Sequence, residues 1–117
     1  FVKSGATLLA VITNDAWWGN TPGHQQHLLF GAIRCIETRR EMVRSANTGI
    51  SAKINHLGRI TQKTKYNEKI AIKCYVRPRT DLTFYVKYGN IIGKMALFLA
   101  IVMLLSSFVK KFVKKGY

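Results

Sequence analysis

The hydrophobic positions of the chain change their spacing along its length, and each spacing predicts a different element. Residues 8–12 (LLAVI) form a continuous apolar run of strand length, followed by a polar, glycine-containing loop at residues 13–23. Such a run predicts a strand that is buried on both faces. Between residues 25 and 40, apolar side chains recur every three or four positions, which predicts a helix with one apolar side.

Alternating positions follow this helix. Residues 42–46, 50–54, 60–66 and 70–76 place apolar and polar side chains in turn, with turn sequences at 47–49 and 55–58. A period of two predicts strands with one buried face. The order of strand, helix and further strands predicts an α/β domain in which a helix covers a sheet.

The last third of the chain contains a long apolar stretch, since residues 91–109 carry only one charge, Lys94. A helix of this length rises about 28 Å, close to the thickness of a bilayer's hydrocarbon core, and a lysine near one end can reach the interface. We therefore predict a transmembrane helix at 91–109, although a buried helix of a soluble protein would give a similar pattern. The resulting division is a layered domain at 1–80, a linker at 81–90, the transmembrane helix at 91–109 and a basic tail at 110–117.

The charge balance is strongly basic, with 19 Lys and Arg against 5 Asp and Glu and a net charge of +14. Such a charge suits either nucleic acid or anionic lipid. The chain has no arginine-rich run and no nucleic-acid-binding motif, and four of its lysines cluster in the tail. We therefore predict a basic surface beside a membrane and no nucleic-acid partner.

Candidate chemical groups are few. Cys35 and Cys74 fall in register with apolar neighbours, so both are expected in the core instead of acting as nucleophiles. His24 and His27 lie three residues apart but lack a third ligand at convincing spacing, so no metal and no cofactor are predicted. Glu37 and Glu41 are one helical turn apart beside several arginines, which favours ion pairing within the helix.

The loop at residues 13–23 (TNDAWWGNTPG) is the best candidate for a binding site. It follows the end of a buried strand, where open α/β sheets place their ligands, and it combines Asn14, Asp15 and Trp17. Polar groups beside a broad apolar ring suit an acyl chain with a polar head. The alternative is an Asx-type turn with a tryptophan packed on the domain.

Three segments together resemble a known family. They are ITNDAWWGNTPGHQQHL (12–28), AIRCIETRR (32–40) and VRSANTGISAKINHLGRI (43–60), and they are similar to the C-terminal half of the nitrilase-like domain in apolipoprotein N-acyltransferases. Trp18 stands where the family more often has Phe, and Cys35 where a small residue is usual. The family's catalytic Glu, Lys and Cys lie before the NDAW segment and have no counterpart here, so no catalytic residue is assigned.

The resemblance implies the C-terminal part of an α-β-β-α sandwich followed by one transmembrane helix, in a piece of a longer chain for which Phe1 is an internal residue. The intact protein would be a multi-pass, monomeric enzyme of the bacterial inner membrane, with residues 1–90 outside the cytoplasm. Its cysteine would take an acyl chain from a phospholipid and pass it to the diacylglyceryl-cysteine of an apolipoprotein, and Asn14, Asp15 and Trp17 would bind substrate. Two alternatives are a fragment of a soluble carbon-nitrogen hydrolase or amidase, which has no terminal span, and a non-enzymatic cationic membrane protein, which does not explain the NDAWWG segment.

Overall fold

The computed structural model describes residues 1–115, which form a mixed α/β fold followed by a long helix. The strands are β1 (Leu9–Thr13), β2 (Met42–Ala46), β3 (Ala52–Ile54) and β4 (Ile60–Lys63), and the helices are α1 (Pro22–Thr38), α2 (Phe84–Tyr88) and α3 (Ile91–Lys115), with single 3-10 turns at Val2–Ser4 and Ala16–Trp18. The chain divides into two compact units, Phe1–Lys87 and a second that begins at Tyr88.

The four strands form one sheet in the order β1-β2-β3-β4. Strands β1 and β2 are parallel, whereas β2 with β3 and β3 with β4 are antiparallel. A parallel pair needs a long crossover connection, and α1 supplies it. The predicted combination of one helix with a sheet of several strands is confirmed.

Helix α1 covers one face of the sheet. The buried apolar residues of the helix meet those of the strands in a single core, which contains Leu28, Ala32, Cys35, Met42, Ile50, Ala52 and Ile54. On the opposite face, the side chain of Ile12 is 92% exposed. The prediction that β1 is buried on both faces is therefore wrong for the described chain, because α1 covers only one of them.

The ends of α1 follow from local chemistry. The Thr21 side chain accepts a hydrogen bond from the Gly23 backbone N–H, and Pro22 occupies the first turn, so the helix begins earlier than residue 25. At the other end Arg39 adopts a left-handed conformation with φ of 53°. This conformation stops the helix and turns the chain into β2.

The alternating segment at residues 70–76 is not a strand, so this part of the predicted meander is wrong. Residues 68–83 have no regular secondary structure, and the strand predicted at 60–66 ends at Lys63. Residues 70–72 and Cys74 instead line a cavity of about 450 Å³ with Ala10, Val43 and Lys53, which lie on the sheet face opposite α1. The alternation therefore arises because every second side chain of residues 71–76 is partly buried against the sheet face, while the backbone pairs with no strand.

The second unit contains α3, whose first turn is capped by the Asn90 side chain accepting from the Gly93 backbone N–H at 2.8 Å. The window Ile91–Phe108 has a mean hydropathy of 2.2 and none of it is buried. This helix is long and apolar enough to cross a membrane, in agreement with the predicted span. It continues through Lys110 and Lys111 to Lys115, while the last predicted tail residues, Gly116 and Tyr117, lie outside the described residues.

Candidate functional site in the loop after the first strand

A buried ion pair fixes the loop that follows β1. The Asp15 side chain is 0% exposed, and its Oδ2 lies 2.7 Å from Nη2 of Arg44 on β2. Its Oδ1 accepts a hydrogen bond from the Thr13 hydroxyl at 3.0 Å and lies 2.8 Å from Nδ1 of His27 on α1. The Asp15 backbone N–H also donates to the Thr48 carbonyl at 2.7 Å. The Asp15 carboxylate thus joins the loop to the helix and the second strand, and its backbone N–H adds the turn that follows this strand.

Electrostatics keep this carboxylate charged. Burial acts to raise the pKa of Asp15, but hydrogen bonds from His27, Arg44 and Thr13 outweigh it and hold the pKa below its ordinary value. Nδ1 of His27 also lies 3.0 Å from Nη2 of Arg44, so the imidazole contacts both charged partners. We call this charged, hydrogen-bonded cluster of Thr13, Asp15, His27 and Arg44 the staple. Asp15 has no exposed surface within the described chain.

The turn opposite Asp15 is shaped to receive it. Gly49 has φ of +134°, which L side chains rarely adopt, and a Cβ there would lie 2.7 Å from Oδ2 of Asp15. A side chain at this position would therefore be strained and would also displace the carboxylate. Gly49 belongs to the staple even though it makes no side-chain contact of its own.

The staple holds two tryptophans in different settings. The Asn14 side chain accepts from the Ala16 backbone N–H at 3.1 Å, which starts the short turn that carries both rings. Trp18 packs beside His27, with ring centroids 5.1 Å apart, whereas Trp17 is 89% exposed. Of the three residues predicted to bind substrate, Trp17 presents a free surface, while Asn14 and Asp15 shape the backbone beneath it.

Sequence reasoning missed Arg44, His27 and Gly49 as members of this site. A signal for Arg44 was present, because Met42, Arg44 and Ala46 share the inward register of β2 and a charged residue there needs a buried partner. No comparable signal pointed to Gly49, whose role depends on the distant carboxylate of Asp15.

The cysteines of the chain offer no activated nucleophile in the described structure. Cys35 is fully buried in the core, as predicted, and burial together with the charge of Glu41 raises the pKa of its thiol to about 12. A protonated, inaccessible thiol does not attack an ester. Cys74 is half-buried on the unpaired segment, not on the inner face of a strand as predicted.

The remaining candidates also have structural partners. His24 is buried against Tyr66, with ring centroids 4.4 Å apart, while His27 joins the staple. Within residues 1–115, no cluster of three His, Cys, Asp or Glu is placed to hold a metal ion. Glu37 pairs with Arg34 on α1 as predicted, but Glu41 lies beyond the end of α1 and pairs with Lys53 at 3.4 Å, so its predicted pairing within the helix is wrong.

Comparison with known proteins gives a consistent result. No protein-family model matches the chain. It is 36% identical to the apolipoprotein N-acyltransferase of Thermotoga maritima over 87% of its length, and 34% identical to that of Chlorobaculum tepidum over 95%. It is also 44% identical over 75% of its length to apolipoprotein N-acyltransferase 2 of Leptospira interrogans. These alignments span 15% to 21% of the relatives' own lengths.

Identities of 34% to 44% to relatives that share one name indicate common ancestry. The chain belongs to the apolipoprotein N-acyltransferase family and corresponds to about a fifth of the length of its curated relatives.

Proposed function

We propose that the chain is the C-terminal part of an enzyme that transfers an acyl chain from a phospholipid to the diacylglyceryl-cysteine of an apolipoprotein. The observation that carries this proposal is the identity of 34% to 44%, over 75% to 95% of the chain, to relatives with that name. The catalytic residues of such an enzyme would lie in the part of the protein that precedes this chain. The chain would contribute a wall of the acyl pocket and a membrane anchor.

The proposed architecture is the C-terminal portion of a nitrilase-like α-β-β-α sandwich at residues 1–80. Two features support it. The sheet has α1 on one face and leaves Ala10 and Ile12 exposed on the other, where the second sheet of a sandwich would pack. In addition, β1 is an edge of the described sheet and can accept a further strand, such as the one that would carry the catalytic cysteine.

Within this architecture, Trp17 would line the acyl pocket, and Asn14 and Asp15 would hold the turn that presents it. Support comes from the exposure of the Trp17 ring and from the fixed turn beneath it. In the full-length protein that carries this chain, Trp17→Ala should slow acylation by at least about tenfold, because a tryptophan that contacts the lipid contributes a few kcal/mol of apolar burial. A matched control is Tyr75→Ala, which removes another aromatic ring that is 79% exposed. Equal acylation rates for the two variants would show that the loop is only a connector.

We propose that the protein resides in the inner membrane, with a linker at 81–90, a transmembrane helix at 91–109 and a basic tail at 110–117. The tail would lie in the cytoplasm, and residues 1–90 would lie on the extracytoplasmic side. The apolar helix and the lysines that follow it support this orientation. A cysteine placed at position 117 should be labelled by an impermeant maleimide only after the membrane is permeabilised. Labelling in intact spheroplasts would show that the orientation is the opposite of the one we propose.

The decisive experiment is a chimera. The corresponding fifth of the Thermotoga maritima relative is replaced by this chain, and the chimera is produced in a bacterium depleted of its own enzyme. Mass spectrometry of a lipoprotein should find the N-acylated, triacylated N-terminus. A control chimera with Gly49→Val should fold poorly and fail. If the first chimera is stable in the membrane but leaves lipoproteins diacylated, the proposed function is wrong.

A further inference from the structure

The Trp18 ring lies directly on the first turn of α1. A Cβ atom at Gly23 would lie 2.6 Å from both Cγ and Cδ1 of Trp18 and 3.0 Å from its Cβ. One helical turn further on, the His27 ring packs beside the indole, with an angle of 56° between the two planes. Carbon atoms in ordinary contact are about 3.5–4.0 Å apart, so the indole fits here only because position 23 carries no side chain.

The backbone of Trp18 is attached on both sides of this contact. Its N–H donates to the Asp15 carbonyl at 3.2 Å, and its carbonyl accepts from the Thr21 hydroxyl at 2.6 Å. The same hydroxyl accepts from the Gly23 backbone N–H at 3.4 Å, which ties the turn to the start of α1. Because Asp15 is buried in the staple, the turn Ala16–Trp18 is held between the staple and the helix.

The position of Trp18 also determines the direction of Trp17. The two residues are consecutive in a 3-10 turn, where successive side chains point about 120° apart. With one ring on α1, the other has to point away from the helix, and Trp17 is 89% exposed whereas Trp18 is 41% exposed. The packing of one tryptophan thus orients the other.

We propose that Trp18, held by Gly23 and His27, is a positioning residue that orients Trp17 and so sets the acyl-chain length that the pocket prefers. This inference rests on the proposed function, in which Trp17 lines the acyl pocket. Each methylene group that is buried against an apolar wall adds to the binding free energy, so a displaced wall discriminates less between long and short acyl chains. A tryptophan that only fills space in the loop would stabilise the fold without affecting this preference.

Gly23→Ala tests the contact by adding a single methyl group. This substitution is favourable in an open helix, so α1 should still form. Rotation of the indole cannot relieve the clash, because the Cβ atom of Trp18 lies 3.0 Å away whatever the direction of its ring. The turn itself therefore has to move, by about 0.5 to 1 Å, to restore ordinary contact distances.

The assay uses the full-length protein that carries this chain, in mixed micelles with phospholipids of one headgroup and either sixteen-carbon or eight-carbon acyl chains. In Gly23→Ala, the KM for thioester formation from the long-chain phospholipid should rise at least about fivefold, because a displacement near 1 Å already weakens a positioned contact. The kcat and the KM for the short-chain phospholipid should stay within about twofold of the unmodified values. Gln26→Ala, at an exposed position of the same helix, is the matched control and should change none of these constants.

A double variant shows whether the effect passes through Trp18. Trp18→Ala should weaken the chain-length preference at least as much as Gly23→Ala. Adding Gly23→Ala to Trp18→Ala should have no further effect, since the contact is already lost. Hydroxyl-radical footprinting gives a readout that is independent of activity, because oxidation of Trp18 in Gly23→Ala should rise towards that of Trp17 in the unmodified protein.

The results that overturn this inference differ from those that overturn the proposed function. Additive effects of Gly23→Ala and Trp18→Ala, or equal increases in KM for both phospholipids, would leave Trp18 with a purely structural role. The same conclusion would follow if both variants kept the normal chain-length preference while Trp17→Ala altered it. If Trp17→Ala leaves thioester formation unchanged with both phospholipids, the proposed pocket is wrong and this inference is wrong with it. If the unmodified protein forms no thioester with either phospholipid, the proposed function itself fails.

Discussion

Removing the charge of Asp15 should destabilise the first unit more than any other isosteric change in the loop. Asp15→Asn keeps the shape of the side chain but leaves the guanidinium of Arg44, which is 2% exposed, without its anion. Loss of one partner of a buried ion pair typically costs about 3–5 kcal/mol, a large part of the total stability of a small domain. Arg44→Met should cost less, because the buried carboxyl group left behind can become protonated, whereas an arginine cannot.

Because only a carboxyl group can become neutral, the stability costs of the two variants should depend differently on pH. In the unmodified chain the pKa of Asp15 lies below its ordinary value of 3.8, so its contribution to stability is complete above pH 3.8 and is lost only as the pH falls through the lowered folded value. In Arg44→Met the pKa of Asp15 should rise, since burial then acts with fewer opposing hydrogen bonds. Acidification from pH 7 to pH 5 should therefore shrink the cost of Arg44→Met and leave the cost of Asp15→Asn unchanged.

The assay is urea unfolding of the chain in detergent micelles, followed by tryptophan fluorescence, because Trp17 and Trp18 adjoin the pair. The double variant Asp15→Asn with Arg44→Met should be more stable than the sum of the single costs predicts, by at least about 1 kcal/mol. A cost below about 1 kcal/mol for Asp15→Asn, or single costs that simply add, would refute the reading of Asp15 as the anchor of the loop.

Three further predictions follow from the same structure. Gly49→Ala should lower the free energy of unfolding by about 2 kcal/mol or more, since it combines backbone strain with a clash against Asp15. Gly5→Ala shares the strain of a positive φ, +98°, but has open space around its Cβ, so it should cost about 1 kcal/mol less than Gly49→Ala in the same urea titration. Iodoacetamide at pH 8 should not modify Cys35 in the folded chain, because its thiol is buried with a pKa of about 12, and mass spectrometry should find modification there only in urea. Incubation of the chain alone with phospholipid should yield no acylated cysteine, and a thioester on Cys35 or Cys74 would contradict their structural assignment.

Local sequence patterns determined the elements that depend on side chains close together along the chain. The spacing of apolar residues predicted β1, α1 and β2 to within a few residues, and the uncharged run after Lys94 predicted the apolar helix α3. These elements need only a repeating pattern, because a helix completes its hydrogen bonds internally and a regular apolar face is enough to bury it. The same local patterns made the NDAWWG loop a candidate binding site, because its residue types are unusual for a connector.

The tertiary structure decided what depends on partners far away in the sequence. Residues 70–76 have the alternation of a strand but meet a sheet face instead of a free edge, and a strand exists only where another backbone accepts its hydrogen bonds. Asp15 meets Arg44 across 29 positions, and Arg40 meets Asp81 across 41, so neither contact leaves a periodic trace in the sequence. Burial of these charges depends on which chain segments the fold brings together, and that is why the anchor of the loop and the buried contacts of Arg40 became visible only in three dimensions.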